Sequence, residues 1–278
     1  MTVTEEKPGK ETFTLKETYS MEELLAIMRF LRSDQGCPWD REQSHESIQG
    51  NMLEEAYEAV DAIQSGDPDK LAEELGDVLM QVVFHAGIAQ DAGHFDFDRV
   101  VSGICRKLIS RHSHLFGSDQ AHTPQEVLRT WEKNKQKEKG FDSVSQSMKD
   151  MPRGMPALTR ALKLQKKAAN VGFDWPSLEG AREKILEEAR EFFLEIDRGD
   201  RDRAAEEGGD LLFAVVNSLR MLDIDPEAAL TGCSQRFIRR FEAMESIAQS
   251  PLADMTLEEM DGLWDQAKAQ EAEEDHET

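Results

Sequence analysis

Cysteine is scarce and scattered: Cys37, Cys105 and Cys233 are odd in number, far apart and without any CxxC pair. That excludes a disulfide framework and a thiolate zinc site, and it suits a reducing cytosol. Only two tyrosines occur in 278 residues and β-branched runs are few, which argues against a large sheet. No apolar run approaches the ~20 residues of a membrane span, and the polar N-terminus is not a signal peptide, so a cytoplasmic protein is expected. Bases are outnumbered by acids, 33 Lys and Arg against 56 Asp and Glu, for a net charge of −23. Duplex nucleic acid and anionic membrane surfaces are held by basic patches and are disfavoured as partners. There is no P-loop and no EF-hand loop.

What the chain does have is a repeat. Leu53 to Val83 reads LEEAYEAVDAIQSGDPDKLAEELGDVLMQVV, and 133 positions on, Leu186 to Val216 reads LEEAREFFLEIDRGDRDRAAEEGGDLLFAVV, with 17 of 31 positions identical and no gap. Four acids keep their places: Glu55, Glu58, Glu74 and Asp77 in the first copy, Glu188, Glu191, Glu207 and Asp210 in the second. Residues three apart share a helical face, so each copy carries two carboxylate pairs, ExxE and ExxD. Leu53, Ala56, Val60 and Ile63, then Leu71, Leu75, Val78, Leu79 and Val82, recur at helical spacing around them. The SGDPD link is a tight turn, which makes the two helices antiparallel neighbours and brings the pairs together.

Four converging carboxylates do not sit together unaided. Two unit charges about 5 Å apart repel by roughly 3 kcal/mol at an effective dielectric near 20, so the cluster needs protons or a cation. Oxygen donors without paired Cys or His point to a hard divalent ion, Mg²⁺ first and Mn²⁺ second. A ferritin-like di-iron bundle needs Glu-x-x-His, and the residue three after Glu74 and Glu207 is Asp in both copies. In so acidic a chain an isolated ExxE is ordinarily a solvated face, and it is the retention of the quartet inside a copied unit that favours a site.

Elsewhere the chain reads as helix throughout. Residues 1–19 form a polar tail; Ser20 and Glu23 make a capping box for a helix to about Arg32; DQGCPWD is a loop. Helices follow at about 45–64, 69–91 and 96–112, and another capped by Thr123 runs to about Lys139. An N-terminal domain of 20–139 is expected, then a Ser, Gly and Pro-rich linker at 140–155, a C-terminal domain of 156–248, and a helix with an acidic tail over 249–278. The class is all-α.

Trp39 in GCPWD and Trp175 in VGFDWP precede the acidic helices. They are either plugs between helices or walls on which a planar base stacks. Basic residues follow the acidic helices, with Arg111 in the first half and Arg236 and Arg240, four apart on one face, in the second. Such residues solubilise a surface, or beside a metal they clamp polyphosphate. Glu54 and Glu187, one residue before the first acid of each quartet, are candidates for orienting or deprotonating a water, or for a salt bridge.

With these residues placed, a resemblance is legible. EExxE at Glu54, Glu55 and Glu58 with ExxD at Glu74 and Asp77, CPWD before and RHSHLFG after, resembles the MazG family of nucleoside triphosphate pyrophosphohydrolases. The second half resembles it equally, from MPALTRALKLQKKAANVGFDW through EExxE at Glu187, Glu188 and Glu191 and ExxD at Glu207 and Asp210 to QRFIRRFE. The resemblance implies two tandem tetrahelical domains, usually in a homodimer. It also implies Mg²⁺-dependent cleavage of nucleoside triphosphates to monophosphate and pyrophosphate, a house-cleaning activity on the nucleotide pool, with both quartets as metal ligands and the second copy the active one. Gly208, and Ser234 with Arg236, depart from the family pattern in that copy. A non-catalytic protein that binds nucleotide, metal or a partner is the alternative.

Overall fold

Helix starts and stops fall where side chains satisfy loose backbone ends. In this computed structural model, which describes residues 13–277, Ser20 and Glu23 exchange hydrogen bonds with each other's backbone N–H at 3.3 and 2.9 Å and open α1 (Met21–Leu31). The first twelve residues of the expected N-terminal tail lie outside the described residues. Inside the stretch expected as a loop, Pro38 takes the first position of a short helix, α2 (Pro38–Glu42), where its missing N–H costs nothing.

The first acidic helix, α3 (Gln49–Ser65), starts later than the pattern around residue 45 suggests. Ser44 and Ser47 bond each other's backbone N–H instead, at 3.3 and 2.9 Å, a local alternative to the helical ladder. Gly66 ends α3 at φ 71°, a left-handed conformation that glycine adopts without a Cβ penalty. Asp67 then accepts the N–H groups of Asp69 and Lys70 and opens α4 (Pro68–Asp91). α5 (Phe97–Arg111), α6 (Ser113–Phe116) and α7 (Pro124–Lys139) follow.

The chain divides into two compact units between Glu138 and Lys139. In the first, α4 packs on α1, α3 and α5 around a core of Met28, Ile48, Val83, Phe84 and Ile88. The second begins at Lys139 and takes in the stretch 140–155 expected as a linker, which carries α8 (Val144–Lys149). Ser143 caps α8, the helix packs on α9 (Ala157–Ala169), and its buried Ser147 accepts a hydrogen bond from the Lys167 ammonium, so this segment belongs to the fold.

The second copy is α10 (Leu178–Arg198) and α11 (Arg201–Met221), joined as in the first: Gly199 at φ 71°, then Asp200 accepting from the Arg203 N–H. The duplication has carried the turn and its caps with it. α11 packs on α9 and α12 (Pro226–Ile247), and a 3-10 turn at Leu252–Asp254 leads to α13 (Leu257–Glu277), which lies along α12. The expected acidic tail is therefore largely the end of α13. Among the described residues every regular element is helical, and no helix is long and apolar enough to cross a membrane.

Candidate active site

In each unit the tight turn folds the second acidic helix back along the first and brings ExxE against ExxD. In the first, carboxylate oxygens of Glu55, Glu58 and Glu74 lie within 4.8 Å of one another. Asp77 stands beside them, and its charge acts on Glu55. In the second, Glu188 joins two groups of the same tightness, one with Glu207 and Asp210 and one with Glu187 and Glu191. The structure thus places Glu187, read above as a water-handling residue or salt-bridge partner, within ligand distance of Glu188 and Glu191. Among the described residues Glu54 belongs to no such group.

Electrostatics distinguish the copies. Desolvation, followed by the Asp77 charge, raises the Glu55 pKa above its ordinary carboxylate value, and desolvation with the Glu58 charge raises that of Glu74. The Gln81 amide, donating to Glu55 at 3.4 Å, is a weak counterweight. In the second copy Glu191 is raised by desolvation and then by Glu188 and Glu207, but two cations are built into the cluster. The Lys184 ammonium sits 2.8 Å from Glu187 and 2.6 Å from Glu188, and these hydrogen bonds hold its pKa well above the usual lysine range. Arg203 reaches Glu207 at 3.0 Å. At the 133-residue offset Lys184 falls on Asn51, so the first copy has no counterpart of this ammonium.

Beside the second cluster lies a cavity of about 700 Å³. Glu188, Asp210 and Lys184 line it at the acid end, Phe173, Trp175 and Phe213 provide aromatic wall, and Ala168, Ala181 and Ala214 leave the space open. The Trp175 ring is seated against Gly180, where any Cβ would meet the indole at 2.6 Å. Asp174, the residue before it, is anchored by an ion pair with Arg220.

The corresponding residues of the first copy are larger. At the 133-residue offset Ala181, Ala214 and Asn217 become Ile48, Gln81 and Phe84, which are only 2%, 3% and 4% exposed. With Gly36 and Trp39 aligned on Gly172 and Trp175, Ala168 falls opposite Arg32, whose side chain is 7% exposed, pairs with Asp91 and lies over the Phe84 ring. Trp39 itself is exposed, its ring 6.4 Å from that of Phe84.

The arginines expected to bind substrate are mostly engaged elsewhere. Arg111 makes two hydrogen bonds to Glu138, at 2.9 and 3.2 Å, and lies over Trp131. Arg240 is held by Glu271 of α13 at 2.6 Å and lies over Trp264, while Arg236 is exposed without an ion pair among the described residues. Gly208, the departure from the family pattern, makes room for Phe192, which a Cβ there would approach to 3.3 Å. Lys184, Gln165 and Asn217 were not singled out from sequence. For Lys184 the signal was available, four residues before Glu188 on one helix face.

A family model described as the MazG nucleotide pyrophosphohydrolase domain matches residues 43–116 and 177–245, one stretch in each copy and together over half of the chain. The chain belongs to the MazG family. Over 257 residues it is 44% identical to the nucleoside triphosphate pyrophosphohydrolase of Escherichia coli strain K12, covering 90% of this chain and 98% of that one. It is 42% identical over 250 residues to the nucleoside triphosphate pyrophosphohydrolase/pyrophosphatase MazG of Thermotoga maritima, covering 89% and 95%. The uncharacterized protein YabN of Bacillus subtilis is 45% identical over 268 residues, covering 95% of this chain and 54% of that one. MazG membership accounts for two acid quartets on one helical plan.

Proposed function

We propose that the chain cleaves nucleoside triphosphates between the α- and β-phosphates, giving nucleoside monophosphate and pyrophosphate, and that the second copy does the work. The observation that carries this is the cavity whose aromatic wall leads to the carboxylates of Glu188 and Asp210. A base against Phe173 and Trp175 would leave its phosphates at the acid end.

The quartets fit a divalent cation: their donors are oxygens only, three at a time within 4.8 Å, and desolvation followed by mutual repulsion raises the pKa of Glu55, Glu74 and Glu191. Glu188, Glu191, Glu207 and Asp210 would hold Mg²⁺, with Mn²⁺ second, which when bound polarises phosphate oxygens and acidifies water. Lys184 would trade a carboxylate for a phosphate oxygen as substrate enters. Glu187, freed of Lys184, would take the proton of the attacking water; the new bond forms at the α-phosphorus and pyrophosphate departs with the bonding pair. Exposed Arg236 would meet phosphate directly, whereas Arg240 would first give up Glu271.

A non-catalytic reading is favoured for the first copy alone, since Ile48, Gln81 and Phe84 fill the space a base would need. There Glu55, Glu58, Glu74 and Asp77 would hold a cation without a nucleotide.

A homodimer accounts for apolar positions left bare in both copies: Leu53, Val60, Ile63 and Leu79, and at the same offset Leu186, Phe193, Ile196 and Leu212. Paired positions this exposed call for partner surface, and a monomer by light scattering would remove this part. The three free thiols suit a cytoplasmic setting. The activity is tested by product analysis of a triphosphate panel with Mg²⁺. Monophosphate and pyrophosphate in equal amounts are expected; no turnover, or release of orthophosphate, would overturn it.

A further inference from the structure

The cavity beside the second cluster has two amide side chains in its wall, Gln165 from α9 and Asn217 from α11. Gln165 is more than nine-tenths buried, with 7% of its surface exposed. Its Nε2 donates to the carbonyl oxygen of Phe213 at 2.7 Å. A carbonyl can only accept, so this bond fixes the amide orientation and leaves Oε1 as the free end. That Oε1 is buried and has no hydrogen-bond partner. Buried acceptors are nearly always satisfied, and this one belongs to a residue of the cavity wall, where a donor can arrive with a ligand.

Asn217 is fixed from the opposite direction. Arg220 Nε donates to its Oδ1 at 2.9 Å, and Arg220 is itself tied to Asp174 beside Trp175. The guanidinium can only donate, so this bond turns the Asn217 oxygen toward Arg220 and leaves Nδ2 for the cavity. One wall therefore offers a bare acceptor and a donor next to an aromatic face.

We infer that Gln165 and Asn217 read the pairing edge of the nucleobase, Gln165 Oε1 accepting an N–H from it and Asn217 Nδ2 donating to it. The inference rests on the second copy being the nucleotide site. Each standard base carries a donor beside an acceptor on that edge, so the pair tolerates all of them while rejecting a base that lacks the donor. The site then selects for the presence of an edge N–H, not for one base.

The test compares kcat/KM for ATP with that for purine riboside 5′-triphosphate, which lacks the 6-amino group and has no N–H on that edge. The wild type is expected to prefer ATP by roughly tenfold or more. Gln165→Met, of similar length and without the acceptor, is expected to lose activity on ATP and keep that on the purine riboside compound, bringing the ratio near one. A thermal melt of Gln165→Met shows whether loss of the Phe213 bond has unfolded the unit; the wild-type ratio requires no variant. Rates within about twofold on the two compounds would mean that Oε1 serves a buried water or nothing, and would overturn the inference. So would an unchanged preference in a folded Gln165→Met. ATP turnover without preference removes the base reading alone, whereas turnover of neither compound removes the proposed activity with it.

Discussion

Where the second copy has Ala168, Ala181, Ala214 and Asn217, the first has Arg32, Ile48, Gln81 and Phe84. The same αα-hairpin, with the same glycine turn and the same four acids, borders an open cavity in one case and a filled interior in the other. Duplication has kept the acid quartet and altered the residues beside it. The copies also treat their charge differently: in the second Lys184 and Arg203 pair directly with the acids, whereas in the first Lys70 acts on Glu74 through its charge alone and Gln81 donates to Glu55.

The largest expected effect separates the copies by activity. Glu191→Ala should lower triphosphate turnover by about a hundredfold or more, since it removes a ligand and the charge stabilisation that depends on it. Glu58→Ala should stay within about threefold of wild type, because no reacting phosphate reaches it. Rate assays on the two variants side by side check this, and equal losses would break the comparison.

Filling the second cavity as the first is filled should have the next largest effect. Ala214→Gln is expected to raise KM by roughly tenfold, with an overpacking cost of about 1–3 kcal/mol visible in the melt. An unchanged KM would mean that the base does not lie against Ala214.

The smallest effects lie in stability. Because desolvation and neighbouring charge raise the pKa of Glu55 and Glu74 when folded, the native state binds more protons than the unfolded chain between the unfolded and folded values. Stability from these groups is therefore highest below their unfolded pKa and falls as pH rises through the folded one. At neutral pH without divalent cations, Glu55→Gln should melt a few degrees higher than wild type, about 2–4 °C per kcal/mol relieved. Mg²⁺ at about a hundred times its dissociation constant should stabilise wild type by ~2.7 kcal/mol, and Glu55→Gln by less. Melting curves across pH, with and without Mg²⁺, measure both.

The helices and the acid clusters were legible because their signals are local. Capping boxes at Ser20 and Thr256, the Gly66 and Gly199 turns and the three-residue acid spacings all act within one or two turns of chain. The cavity was not legible, because it is made by absence. Nothing marks Ala181 or Ala214 in the sequence until α9, α10 and α11 are packed and the space between them is seen beside the bulk of Ile48 and Gln81. The partners of Arg111 and Arg240 were not legible for a related reason: a basic residue near an acid motif carries no sign of which carboxylate it meets, and here Glu138 and Glu271 lie 27 and 31 residues away. α8 was hidden in a Ser and Gly-rich stretch whose helix depends on the Ser143 cap and on burial of Ser147 against α9.

The central claim is that both copies hold a cation and only the second admits a nucleotide. Its most direct test is calorimetric titration of the intact chain with α,β-methylene ATP in saturating Mg²⁺, which counts nucleotides without turnover. One equivalent per chain is predicted for wild type and for Glu58→Ala, and none for Glu191→Ala. Two equivalents per chain in the wild type, or loss of binding in Glu58→Ala, would contradict the account.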